Sequence, residues 1–317
     1  MPISHIPAPA QDSENTTNTV SREKKKNNAS FQLTEPKYGL EDAILSPSIR
    51  NAIEDAISLV ENKNLIFNEW GLGRVIKHHN LCINLYGPSG TGKTMTAHGI
   101  ARQLKKKMVV VNYAEMESKY VGETSKNIAA LFQFAEENDA VILFDEADAM
   151  LSKRVTSMQS AADVSVNQTR NTLLKILDDY TGIVVFTTNF IQNFDMAFFR
   201  RILSHIRFEM PDEETRRKIW THYLLPTLPL VERKAILDEI CKVDNVTGAD
   251  ISNAVMKAAI KAARYQKKVT LADLSELVSK MTKSKLDMEE PYEITTKKVS
   301  AEYAMKQLKK GEDHGIA

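Results

Sequence analysis

The sequence predicts an α/β fold: a parallel sheet with helices on both faces, followed by a small all-helical lid domain. Three observations carry that prediction. The chain has 317 residues, enough for a sizeable core and for two domains. Apolar strand-like runs alternate with helical stretches through the first two thirds, the pattern of a parallel sheet covered on both sides. After Pro211 the character changes, and every remaining periodic stretch has the period of a helix.

The elements follow in order. Residues 1–36 are rich in Ser, Asn, Thr, Lys and Pro and carry few apolar positions, so they are expected to be a disordered arm. Ser46-Pro47 marks a helix start, a capping residue followed by proline in the first turn, and its apolar stripe runs Ile49, Ile53, Ile57, Val60. Strands are expected at "LCINLY" (81–86), "MVVVN" (108–112), "AVILF" (140–144) and "GIVVFTT" (182–188), with helices at 93–106, 123–138 and 165–180 between them. "HIRFEM" (205–210) reads as a fifth strand. Four helices follow, at about 212–225, 229–242, 248–265 and 271–283, the last capped by Thr270. The expected domains are therefore an α/β domain over 37–211, a lid over 212–283 and a polar extension over 284–317, with a short helix at 299–309.

Composition excludes several classes of function. The net charge of +1 gives no global attraction to nucleic acid or to a membrane surface, and Lys24–Lys26 and Lys105–Lys107 read as solvated runs. The two cysteines, Cys82 and Cys241, lie in apolar stretches and suit free buried thiols in a reducing compartment. No metal-ligand spacing, signal peptide or membrane-length apolar run occurs in the sequence, and a cytoplasmic protein is expected.

Two motifs carry chemistry. "GPSGTGKT" (87–94) fits the phosphate-binding loop pattern at every fixed position, directly after a strand and opening a helix. Gly87, Pro88, Ser89, Gly90, Thr91 and Gly92 are the binding loop, in which Gly90 and Gly92 let backbone N–H groups wrap phosphates at a helix N-terminus. Lys93 would reach the β and γ phosphates, and the Thr94 hydroxyl would hold Mg²⁺. The second motif is "AVILFDEAD" (140–148), where a strand ends in Asp145-Glu146. There Asp145 can orient Mg²⁺ and Glu146 can polarise an attacking water.

With these motifs the chain resembles the AAA clade of the AAA+ ATPases, a branch of the P-loop NTPases, over roughly residues 40–283. The phosphate loop and the "ILFDEAD" strand are similar to its Walker A and Walker B motifs. "FTTN" (186–189) is similar to its sensor-1 strand, so the resemblance gives Asn189 a part in placing the lytic water. "NFDMAFFRR" (193–201) resembles the second region of homology, which makes Arg200 and Arg201 arginine fingers directed at a neighbouring subunit's γ-phosphate. "TGAD" (247–250) resembles the sensor-2 segment and assigns Gly248 and Ala249 to the nucleotide base. The resemblance further implies ATP with Mg²⁺, a homo-hexameric ring, and similarity to the proteasomal ATPases, FtsH-type proteases and filament-disassembling ATPases of endosomal sorting.

"SKYVGET" (118–124) finds its place by the same resemblance. Tyr120 and Val121, followed by Gly122, match the clade's pore loop, whose aromatic and aliphatic side chains grip an extended client chain. Departures from the family are an undiagnostic second pore loop at 152–168, no zinc-protease motif and only the polar arm where a substrate-binding domain usually stands. The expected function is thus an ATP-hydrolysing remodeller of protein clients. A nucleotide-switched scaffold with little turnover and a DNA-directed motor are the alternatives.

Overall fold

The computed structural model describes residues 31–76, 81–112, 124–152, 161–189 and 194–289. The arm up to residue 30, the Tyr120-Val121-Gly122 loop, residues 153–160 of the insert and the tail with its expected helix at 299–309 lie outside the described residues.

Five strands form one sheet: β1 (Leu81–Tyr86), β2 (Met108–Asn112), β3 (Val141–Asp145), β4 (Ile183–Thr188) and β5 (Ser204–Arg207), in the order β2-β3-β4-β1-β5. Every pairing is parallel. Because side chains alternate along a strand, each run feeds two cores at once. Ile83, Leu85, Val141, Leu143, Ile183 and Val185 face α1 (Pro47–Glu61) and α2 (Lys93–Gln103). Cys82, Val109, Ile142, Phe144, Val184 and Phe186 face α3 (Thr124–Glu137) and α5 (Ala161–Asp179). A strand buried on both faces has no position left for a charged residue, and that is why these runs are nearly all apolar.

The strands fall where the sequence places them, except that β5 is Ser204–Arg207 and the chain leaves the sheet before Met210. Two one-turn helices escape the periodicity argument, α4 (Asp148–Leu151) and α6 (Met196–Phe199), since four residues are too few to show a period. Ser46 caps α1 by accepting the Ile49 N–H at 3.5 Å, and Ile53 and Ile57 are its buried stripe.

The remaining helices are α7 (Glu213–Tyr223), α8 (Arg233–Ile240), α9 (Gly248–Tyr265) and α10 (Leu271–Glu289). They enclose a third apolar cluster around Trp220, with Ile236, Ile240, Ile251, Ala254 and Leu274. Thr270 caps α10 as expected, exchanging hydrogen bonds with Asp273, and the helix runs six residues past its expected end. Arg216 ties this cluster to the segment that follows β5. It is buried and donates to the carbonyls of Pro211 (2.7 Å) and Cys241 (2.8 Å) while pairing with Asp244.

Trp220 is fully buried, and its indole N–H meets no acceptor among the described residues. Trp220→Ala should cost about 3–5 kcal/mol of lid stability through cavity formation. Trp220→Phe should cost clearly less, since it keeps most of the packing and removes an unpaired donor. Chemical denaturation of the two variants against the parent chain checks the order.

Candidate functional site

The helix after β1 packs on one face of the sheet, while Phe194 and Phe198, which follow β4, pack on the other. Neighbouring parallel strands whose exits turn to opposite faces leave a crevice at their carboxyl ends. The loop 87–92 lies in that crevice.

Gly87, Gly90 and Gly92 all have left-handed backbones, with φ of 138°, 78° and 98°. Two of them also have no room for a side chain. A Cβ on Gly87 would lie 2.0 Å from the Phe208 carbonyl oxygen, and one on Gly90 would lie 2.7 Å from Thr247 Oγ1. The loop is thus bare backbone leading into the N-terminus of α2, where amide N–H groups and the helix dipole favour an anion. Lys93 is almost fully buried. Its ammonium donates to the carbonyls of Gly87 and Pro88 (2.8 Å each) and to Asn189 Oδ1 (2.9 Å). Burial draws its pKa below the ordinary lysine value, and Asp148, Asp145 and Glu146 act in the opposite sense.

Asp145 closes β3, and its Oδ1 accepts from two hydroxyls, Thr94 Oγ1 at 2.9 Å and Thr187 Oγ1. Glu146 follows with a positive φ of 53° and donates its N–H to Thr187 Oγ1 at 3.0 Å. The N–H of Asn189 donates to Asp148 Oδ1 at 2.9 Å. Lys93, Thr94, Asp145, Glu146 and Asn189, 96 positions apart at their extremes, therefore line one cleft. Thr187 joins them on the cleft wall, and Asp148 supports Asn189 from outside it; neither was singled out in the sequence. Their only signal is membership of the "AVILFDEAD" and "FTTN" stretches, in which other residues were given the roles.

The cleft has a volume of about 590 Å³, within the range of small-molecule sites. Its far wall comes from two directions. The strap before α1 pairs with β2 through Thr34 and Met108 and packs Leu40 on Gly99, so that Ala43 and Ile44 reach the cleft. From the lid come Ile219 and Tyr223, together with Gly248 and Ala249 at the start of α9. That start is fixed by a capping box between Thr247 and Asp250, and the Ala249 N–H donates to the Gly90 carbonyl at 3.2 Å. The apolar side of the cleft was not legible in the sequence, because its residues belong to an irregular strap and to ordinary helical stripes.

A phosphate-bearing ligand with Mg²⁺ fits this donor set. The glycine backbones and Lys93 suit phosphate oxygens, and the Thr94 hydroxyl beside the Asp145 carboxylate is the hard-oxygen pair that Mg²⁺ takes.

The two arginines behave differently. Arg200 is exposed at the end of α6. Arg201 is held within its own chain, with Nε and Nη2 donating to the two oxygens of Asp178 at 2.7 and 2.9 Å and Nη1 donating to the Ala197 carbonyl. Neither lines the cleft of its own chain. The segment that carries them is anchored by Asp195, which caps α6 and pairs with buried Arg170 at 2.8 Å. Tyr120 and Val121 lie outside the described residues.

Comparison with known proteins gives a consistent picture. Residues 83–210 match the family model "ATPase family associated with various cellular activities (AAA)". The chain is 35% identical over 210 residues to the 26S proteasome regulatory subunit 4 homolog of Schizosaccharomyces pombe, which covers 63% of this chain and 46% of that protein. It is 28% identical over 266 residues to cell division protein C of Sulfolobus acidocaldarius, covering 77% of this chain and 67% of that protein. The chain thus spans about half the length of the proteasomal relative it matches. In fold it is similar to the FIGL-1 AAA domain, with a TM-score of 0.64 at 23% identity over 81% of this chain and 89% of the other. That domain has also been solved in complex with ADP, with the same TM-score of 0.64 at 24% identity over 81% of this chain and 90% of the other.

The glycines separate two costs. Gly92→Ala meets nothing within 4 Å and should cost only its left-handed backbone, about 1–2 kcal/mol. Gly87→Ala also collides with the Phe208 carbonyl, so it should lower the melting temperature further and weaken any binding of phosphate at the loop. Thermal melts and nucleotide titrations of both variants check the ranking.

Proposed function

We propose, on the premise that this chain carries an AAA ATPase domain, that it is an ATP-hydrolysing remodeller of protein clients, working as a ring. The observation that carries this proposal is the meeting of Lys93, Thr94, Asp145, Glu146 and Asn189 in one cleft between sheet and lid. A pure switch needs phosphate contacts but has no use for a base and a water-orienting amide beside them.

In this proposal the loop N–H groups and Lys93 bind the phosphates of ATP, and Gly248, Ala249 and the strap enclose the base. Thr94 and Asp145 hold Mg²⁺, which when bound neutralises phosphate charge. Glu146 accepts a proton from the attacking water, and Asn189 orients that water. Its amide oxygen is already fixed by Lys93, which ties the water-orienting group to the phosphate-binding one.

The ring is proposed as a homo-hexamer. Exposed Arg200, outside the cleft of its own chain, suits a finger reaching the neighbouring subunit's nucleotide, with Arg201 beside it. Tyr120 and Val121 are proposed to grip the client in the pore. Nucleic acid is not the proposed partner, given a net charge of +1. Among the described residues no helix is long and apolar enough to cross a membrane, and the proposed location is the cytoplasm.

Two experiments test this. Glu146→Gln keeps size and removes the base, so the purified variant should bind ATP and lose about 10²–10⁴-fold in turnover. Wild-type turnover by that variant would exclude Glu146 as the base and favour the scaffold alternative. For the ring, Arg200→Ala chains mixed with Lys93→Ala chains should form some complete sites and exceed the summed ATPase of the two parents. No recovery despite proven co-assembly would remove Arg200 from the neighbour's site.

A further inference from the structure

We infer that Thr187 is a positioning residue, whose single hydroxyl sets both the metal-side acid and the base. The inference rests on the roles proposed above for Asp145 and Glu146.

Thr187 lies on β4, two residues before Asn189, and is 2% exposed. Its hydroxyl both donates and accepts. The proton goes to Asp145 Oδ1, and a lone pair takes the N–H of Glu146 at 3.0 Å. One residue further on, the Ala147 N–H donates to the Thr187 carbonyl at 2.9 Å. The turn after β3 is therefore stitched to β4 by three consecutive bonds that all end on Thr187.

That turn needs stitching. Glu146 has a φ of 53°, a conformation uncommon for a residue that carries a side chain. The left-handed backbone decides where the Glu146 carboxylate points, so a bond to its N–H bears directly on the aim of the base. Asp145 poses a second problem. Thr94 Oγ1 also donates to its Oδ1, and Thr94 is one of the groups proposed to turn to Mg²⁺. Thr187 then remains as the donor that keeps the Asp145 carboxylate in place. Valine has the shape of threonine without either bond, and serine keeps both bonds without the methyl group. The pair of variants isolates the hydroxyl.

The test compares Thr187→Val, Thr187→Ser and Glu146→Gln with the parent chain. It measures ATP turnover, melting temperature, and the affinity of a fluorescent ADP analogue in EDTA and across a Mg²⁺ titration. Thr187→Val should bind the analogue in EDTA within about twofold of the parent. It should need about tenfold more Mg²⁺ to tighten that binding, and its kcat should fall about tenfold or more with a smaller change in KM. Thr187→Ser should lie within about threefold of the parent on every measure, because it keeps the hydrogen bonds. The inference is overturned if Thr187→Val keeps parental Mg²⁺ dependence and kcat, or if Thr187→Ser falls as far as Thr187→Val. It is equally overturned if metal-free binding is lost along with the melting temperature, since the role would then be structural. Should Thr187→Val not fold, Thr187→Ala set against Thr187→Ser gives the same contrast. Parental turnover in Glu146→Gln would count against the base assignment alone, and the Mg²⁺ titration of the Thr187 variants would still judge the hold on Asp145.

Discussion

The register of three strands is the constraint on which the site depends. With Phe144 opposite Phe186, the residues that follow them, Asp145 and Thr187, come within hydrogen-bonding reach. With Tyr86 opposite Thr188, the loop that begins at Gly87 runs beside Asn189. A one-residue slip of β4 would turn Thr187 to the opposite face, away from Asp145, and would exchange the β4 side chains between the two cores. Such a slip is opposed by both apolar cores, because β1, β3 and β4 each send alternate side chains into both of them. The chemistry at the carboxyl ends is held in place by packing several residues away.

The cleft's other half is set by a joint. Arg216 gathers the carbonyls of Pro211 and Cys241 with the carboxylate of Asp244, so the chain leaving the sheet is fastened to the lid at one buried guanidinium. The start of α9 then touches the phosphate-binding loop itself, through Ala249 N–H to the Gly90 carbonyl and through Thr247 against the bare Cα of Gly90. Glycine at 90 serves two ends here, a left-handed backbone and a close approach by the lid. Any ligand that reshapes the loop must be felt at α9, because no side chain stands between them.

The segment bearing Arg200 is tied to α5 twice, by Arg170 to Asp195 and by Arg201 to Asp178. Only the first of these is deeply buried, and Phe198 lies under its guanidinium. The outer pair is partly solvated, so its Coulomb contribution to stability is small and its bidentate geometry matters more. Of two adjacent arginines, one is thus committed within its own chain and the other is left facing outward.

The sheet, its helices and the phosphate-binding loop are all legible in the amino-acid sequence. Those features are local: a strand buried on both faces must be apolar, a helix must repeat near every fourth residue, and a loop that wraps phosphate needs glycine at fixed places. The sequence also marked Asp145 and Glu146, which end or follow an apolar run, and Asn189 through the resemblance of "FTTN" to the sensor-1 strand. Only the tertiary structure decided what no local rule encodes. Ile44, Ile219 and Tyr223 line the cleft, yet in sequence they belong to a strap and to helical stripes like any other. Arg200 and Arg201 read as equals until Asp178, more than twenty residues away, takes one of them. Thr187 looked like one more β-branched residue in a strand, and the left-handed turn at Glu146 had no glycine to announce it. These roles arise from hydrogen bonds across strands and between domains, and the partners of such bonds are chosen by register and packing.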